Sequence, residues 1–188
     1  MTKAILIVFI LLLGLTLLYA QDTNLKVLLL IAEQNIEGPQ NAWWLSEIDL
    51  STSEAAIARR LIAQGYAVLE PASTNKIIQQ NRAFRVISLS EEESIKLGSL
   101  SQADYVVLGK AIASAGANVP QSNMRSCFAN LSAKIIRVKD GRVIAYPESS
   151  GNSAHLDVIT GGKEALANAG DDLATKIIEV LQKEGEMK

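Results

Sequence analysis

Cys127, His155 and Asp157 are the residues whose types could supply a nucleophile, a base and an orienting carboxylate. Thiol chemistry needs a lowered pKa, a base in reach and access from solvent. The local pattern points elsewhere: Cys127 shares the apolar parity of Ala129 and Leu131, where a cysteine acts as a small hydrophobe. Cys127 and His155 are the single cysteine and histidine, so a closed zinc site would need two carboxylates, and no ligand spacing marks them. Ser90-Glu91-Glu92-Glu93 reads as a capped helix start rather than a calcium loop, which would interleave oxygen ligands with a glycine turn. Gly161-Gly162-Lys163 lacks the spacing of a phosphate loop and reads as a turn into a helix. These residues predict no enzyme, no metal and no cofactor.

Trp43-Trp44 is the stronger candidate for function. The chain's two tryptophans sit together in a long connection, Glu33 to Leu50, with Pro39, Gln40 and Asn41. Connections longer than about 12–15 residues in compact domains are usually functional or disordered. Tryptophan buries a large area while losing little side-chain freedom, which suits an interface anchor; covering a sheet edge is the alternative use. Trp43, Trp44 and Pro39 are therefore the candidate partner-binding residues.

The elements that must position these residues follow from hydrophobic periodicity. Leu25 to Ile31 is a continuous apolar run, predicting a strand buried on both faces. Ser51-Thr52-Ser53-Glu54 is a capping box opening a helix with the apolar stripe Ile57, Ala58, Leu61 and Ile62, which Gly65 ends. Tyr66 to Leu69 predicts a second strand, giving a parallel strand–helix–strand unit. Ser73 or Thr74 can cap a short helix carrying Ile77 and Ile78. Asp104 to Ala113 predicts a third strand and Arg125 to Val138 a fourth. In the fourth, Cys127, Ala129, Leu131, Ala133 and Ile135 alternate with Ser126, Asn130, Ser132 and Lys134, so one face meets the core and the other solvent. Asp140-Gly141 signals a two-residue hairpin turn, with Arg142 to Tyr146 returning antiparallel up to Pro147. Glu148 to Ser153 reads as a loop or irregular edge strand. A final helix from about Lys163 to Leu181 packs Leu166, Ala169, Leu173, Ile177 and Val180 on one face. The fold class is α/β: one domain of two or three layers, with a mixed sheet in which a parallel βαβ unit precedes antiparallel strands and a C-terminal helix.

The first twenty residues predict export. Lys3 is the one charge before an apolar run from Ala4 to Leu18, and Ala20 supplies the small residue before a cut. An uncleaved anchor is the alternative, although a membrane helix needs about 17–25 apolar residues. Residues 21–188 then form one domain, with a formal charge of −2 becoming −3 once Lys3 is removed. No Lys/Arg cluster offers a footprint for nucleic acid. The 48% hydrophobic content is enough for an ordinary core. No Cys follows the apolar run, so the expectation is a periplasmic protein that is not a lipoprotein, touching membrane only through an uncleaved N-terminal segment.

From Val27 to Leu181 the order of motifs resembles the CsgG-like periplasmic superfamily: the curli-secretion channel protein, the penicillin-binding-protein activator lipoproteins, the flagellar T-ring protein and the TolB amino-terminal domain. The likeness rests on Leu97-Gly98, on the Ala103-Asp104-Tyr105 strand ending in Gly109, on the Asp140-to-Val143 turn and on the Ala-rich last helix. Ser114 to Met124 is too short and polar for a membrane hairpin, whose strands need about 9–11 alternating residues, so a pore is not expected. No residues remain for a TolB propeller. The resemblance is nearest to the middle domain of the T-ring protein. It implies a non-enzymatic module supporting envelope or surface-appendage assembly, binding an envelope protein or copies of itself. A periplasmic small-ligand or glycan-binding protein using the Trp43-Trp44 loop is the alternative.

Overall fold

The computed structural model describes residues 24–37, 51–69 and 90–186. Trp43, Trp44, Pro39, the first twenty residues and the helix expected at Ser73 or Thr74 lie outside the described residues. The apolar run near the start forms β1 (Lys26–Gln34). Val27 through Ile31 are each at most 1% exposed, as a strand covered on both faces requires. β1 runs three residues beyond the expected Ile31, because Glu33 is itself buried and bonded.

Ser51 caps α1 (Thr52–Ala63), with Glu54 closing the box. Ile57, Ala58 and Leu61 are buried as expected, but Ile62 is exposed, having rotated past the edge of the stripe. Gly65, at φ 85°, turns the chain into β2 (Ala67–Leu69), which lies parallel to β1. Ser90 caps α2 (Glu91–Leu100) through a second capping box. β3 (Tyr105–Asn118) pairs parallel with β1, and antiparallel with β4 (Arg125–Arg137). β3 ends five residues beyond the expected Ala113, extending the β3–β4 hairpin through an irregularity between Ala115 and Asn118.

The return from β4 differs from the two-residue turn expected at Asp140-Gly141. Residues 138–141 form a four-residue loop, in which Gly141 has φ 70° and Asp140 does not have positive φ. A type I′ turn needs positive φ at both central positions. Here the Asp140 carboxylate is instead held by Arg137 at 3.0 and 2.9 Å and by the Arg142 amide at 3.3 Å. β5 (Arg142–Ala145) and β6 (Glu148–His155) then both pair with β4, interrupted at Tyr146-Pro147. Of the two forms expected for Glu148 to Ser153, loop or irregular edge strand, the edge strand forms, in unbroken register with β4.

α3 (Val158–Glu186) begins five residues before the expected Lys163. Asp157 starts it: its carboxylate accepts the Thr160 amide at 2.8 Å and hydroxyl at 2.6 Å, bonds that hold its pKa below the usual carboxylate range. Gly161 and Gly162 consequently lie inside the helix rather than in a turn before it. Leu166, Ala169, Leu173 and Ile177 are buried as expected, while Leu181 takes the place expected of Val180, which is half-buried.

The sheet order is β2-β1-β3-β4-β5, with β6 also on β4. α1 and α3 cover one face with a core of Val27, Leu29, Val107, Leu131, Leu173 and their neighbours. α2 packs a smaller cluster, including Leu28, Leu30, Val106 and Ile136, on the other. The architecture is the expected single α/β domain with a mixed, open sheet, three layers deep where α2 packs. Among the described residues, no helix is long and apolar enough to cross a membrane.

Glu33 and Glu54 are both buried and join α1 to β1. Glu33 accepts the Ser53 amide at 2.7 Å and hydroxyl at 2.6 Å, and the Thr52 amide at 3.2 Å. Glu54 accepts the Ile31 amide at 2.9 Å and the Ser51 amide at 3.1 Å. Burial raises the Glu54 carboxyl from its ordinary 4.5 to about 7, opposed by the Ile31 and Ser51 bonds and assisted by the charge of Glu33. Because the folded pKa lies above the unfolded one, this contribution to stability is full below about 4.5 and is lost as pH rises through about 7. The interval from 4.5 to about 7 corresponds to about 3 kcal/mol. The wild-type unfolding free energy should therefore fall between about pH 4.5 and about pH 7 more steeply than that of Glu54→Gln, measured by urea denaturation. Equal slopes would show that Glu54 does not titrate in this interval.

Candidate interaction surface

The residues with chemical potential are brought near one end of the sheet, but they are used for structure. Cys127 is fully buried between β4 and α3, and its thiol donates weakly to the carbonyls of Arg125 at 3.8 Å and Val158 at 3.9 Å. A Cβ on Gly161 would stand 2.6 Å from the sulfur, so the helix backbone lies directly over it. His155 turns to the helix start, where its Nδ1 accepts the Asp157 amide at 3.0 Å. The Asp157 carboxylate is occupied by Thr160. No Cys127–His155 hydrogen bond exists among the described residues.

The acidic run is likewise engaged locally. Glu93 accepts the Ser90 amide and hydroxyl, each at 2.9 Å, and these bonds lower its pKa. Glu91 pairs with Lys134 at 3.2 Å. Among the described residues, no three His, Cys, Asp or Glu side chains gather as a metal site.

A cavity of about 640 Å³ opens at the end of the sheet where β1 and β3 begin. Of its charged lining residues, Arg137 pairs with Asp140 at 2.9 Å and reaches Glu184 of α3 at 2.6 Å. Asp104 accepts the Lys26 amide at 2.8 Å. Arg137 and Asp104, the charged groups at its centre, are thus engaged in structural bonds.

A different surface stands out on the other half of the sheet. In β3, β4 and β6, alternate residues face away from α1 and α3: Ile112 and Ser114, then Phe128, Asn130 and Ser132, then Ser150 and Asn152. All seven are exposed, whereas Ala111, Ala113, Cys127, Ala129 and Leu131 on the opposite parity are buried. Phe128 is 45% exposed and Ile112 is 39% exposed. The Phe128 ring lies across Gly116, where an added Cβ would come within 2.4 Å of it. Glycine therefore gives the ring a flat seat, and the alternation holds it outward. The expectation of a solvent-facing parity was right for Asn130 and Ser132; the Phe on that same parity was its unread signal.

No family model and no curated protein sequence matches the chain. In structure it is similar to lipoprotein GNA1162 from Neisseria meningitidis, with 12% identity over 86% of this chain and 99% of that one, at a TM-score of 0.44. It is also similar to the LpoB C-terminal domain from Salmonella enterica, with 14% identity over 68% and 82% of the two chains, at a TM-score of 0.42. A third is the PelC dodecamer from Paraburkholderia phytofirmans, with 15% identity over 86% and 89%, at a TM-score of 0.43. All three scores are below 0.5, so the exposed surface has to be judged on its own chemistry.

The burial of Cys127 has a direct consequence. In the native chain its thiol should react with a thiol-specific disulfide reagent at least about a hundredfold more slowly than in denaturant, since only the thiolate in contact with reagent reacts. Rapid labelling of the native chain would place Cys127 at the surface.

Proposed function

We propose that the chain is a non-enzymatic protein-interaction module of the cell envelope, docking its partner on the outer face of β3, β4 and β6 around Phe128. The observation that carries this is the exposed aromatic ring held on a flat glycine seat. Aromatic anchors of this kind bury large areas on binding and commonly dominate interface energy. The cationic start and apolar run of residues 3–18 support export to the periplasm. The commitment of Cys127 to the core and of His155 to the helix start supports a role without covalent chemistry. Trp43 and Trp44, with Pro39, are a second proposed contact. Envelope or surface-appendage assembly is the machinery that the motif order favours, with an envelope protein or a second copy as partner.

The same face carries the hydroxyl and amide side chains of Ser114, Asn130, Ser132, Ser150 and Asn152. This composition favours a second reading, a glycan or small ligand lying on the Phe128 ring, with Trp43 and Trp44 as its other proposed contact.

In-cell photo-crosslinking from position 128, beside position 44, separates the readings. A dominant protein adduct from position 128 is expected, and Phe128→Ala should weaken the identified partner by about tenfold or more while leaving the fold intact. Adducts to cell-wall polymer alone would favour the glycan reading. No adduct at either position from a folded, well-expressed chain would overturn docking at both.

A further inference from the structure

β6 is an edge strand: among the described residues, β4 is the strand that pairs with it. The Ala133 amide donates to the Pro147 carbonyl at 3.0 Å, so at residue 147 the backbone points toward β4. Antiparallel strands alternate inward and outward residues. Glu148, Ser150, Asn152 and Ala154 therefore direct their amides and carbonyls away from the sheet. Such rows invite another strand, and edges are usually protected by lysines, prolines, inward charges or a bulge. From Ser149 to Ala154, β6 has no charge and no proline.

Its protection comes from the helix beside it. Asn168 Nδ2 donates to the Asn152 carbonyl at 2.9 Å, and Lys176 Nζ donates to the Glu148 carbonyl at 2.7 Å. Asp172 holds the same ammonium at 2.8 Å from one turn earlier in α3. The spacing is geometrically natural. Eight helical residues rise about 12 Å and four strand residues span about 13 Å, so two side chains on one helix flank meet two outward carbonyls.

We propose that Asn168 and Lys176 are an edge guard that keeps β6 from pairing antiparallel with β6 of a second copy of this chain. A second copy fits because the strand is self-complementary. With Ser150 opposite Asn152 of the copy, Glu148 meets Ala154, and no like charges oppose one another along the ladder. The outward groups of both strands then satisfy each other. The guard acts on the outward backbone groups of β6, whereas docking uses the outward side chains around Phe128, so Phe128→Ala tests docking alone and the Asn168 and Lys176 variants test the guard alone.

The test is self-association of the full chain carrying Asn168→Ala and Lys176→Ala, followed by sedimentation equilibrium and by amide exchange at residues 149–155. Both positions are solvent-facing donors, and Asn168→Asp with Lys176→Met removes the same donors at nearly constant volume should the alanine pair lose stability. Self-association should tighten roughly tenfold or more over wild type, the equivalent of one or two net backbone hydrogen bonds. The Ser150 and Ala154 amides should slow in the associated state. Adding Ser150→Pro, which removes one outward amide where an edge strand tolerates proline, should restore wild-type behaviour. Association unchanged from wild type would overturn the guard, as would association that survives Ser150→Pro. A wild type already paired with protected Ser150 and Ala154 amides would overturn it equally.

Discussion

Two buried carboxylates fix how the first helix meets the first strand, and much of the fold depends on that joint. Among the described residues, β2 ends at Leu69 opposite Leu28, while β1 continues along β3. The Ile31 amide, three residues further, is taken by Glu54. Glu33 occupies the first-turn amides of α1, where the helix dipole favours a negative charge. Glu33 thus supplies the partner that first-turn helix amides lack, and Glu54 supplies one to the strand. A buried donor left unsatisfied costs about 1–3 kcal/mol, so the arrangement is favourable even with Glu54 in a dry site that disfavours its charge.

Once α1 is placed, α3 has little latitude. A Cβ at Gly170 would lie 2.8 Å from the Ser53 carbonyl and 2.9 Å from the Ala56 side chain, so α3 touches the start of α1 almost backbone to backbone. At Gly151 a Cβ would lie 2.2 Å from the Ala165 carbonyl, giving equally close approach between α3 and β6. Ser149 and Ser153 donate to the carbonyls of Ala169 at 2.8 Å and Gly161 at 2.7 Å. The small residues of β6 that make it look like a loop are those that let a helix lie on a strand at this distance.

That dual use explains what the sequence disclosed. Capping boxes are local, four residues long and chemically specific, so Ser51–Glu54 and Ser90–Glu93 were legible, as was the period-two alternation of β4. β6 was legible only as a loop or an edge strand, because Ser, Gly and Asn have low strand propensity and their reason for being there is a helix about twenty residues away. The start of α3 was obscured by Gly161-Gly162, although Asp157 followed by Thr160 was a usable cap signal. The Glu33–Ser53 and Glu54–Ile31 bonds link residues 20 and 23 apart, and no local pattern announces them. For the surface, the polar parity of β4 was visible while Phe128 on that parity went unread, because a lone Phe in a strand ordinarily belongs to the core.

The unequal lengths of the helices decide where a partner can reach the sheet. α3, at 29 residues, extends about 43 Å and reaches from Cys127 near one end of β4 to Arg137 at the other. α2, at 10 residues, extends about 15 Å and packs on the other face near Val106, Ile136 and Val138. β3 and β4 continue well beyond that contact, to Asn118 and Arg125. Inward residues on this extension remain buried under α3 while the outward ones remain exposed, which is why Cys127 and Phe128, adjacent in sequence, have opposite fates. A substitution at one therefore tests the core and at the other the surface. The long helix supplies rigidity behind a face that the short helix leaves accessible, and rigid presentation of a few exposed groups lowers the ordering cost that association must overcome.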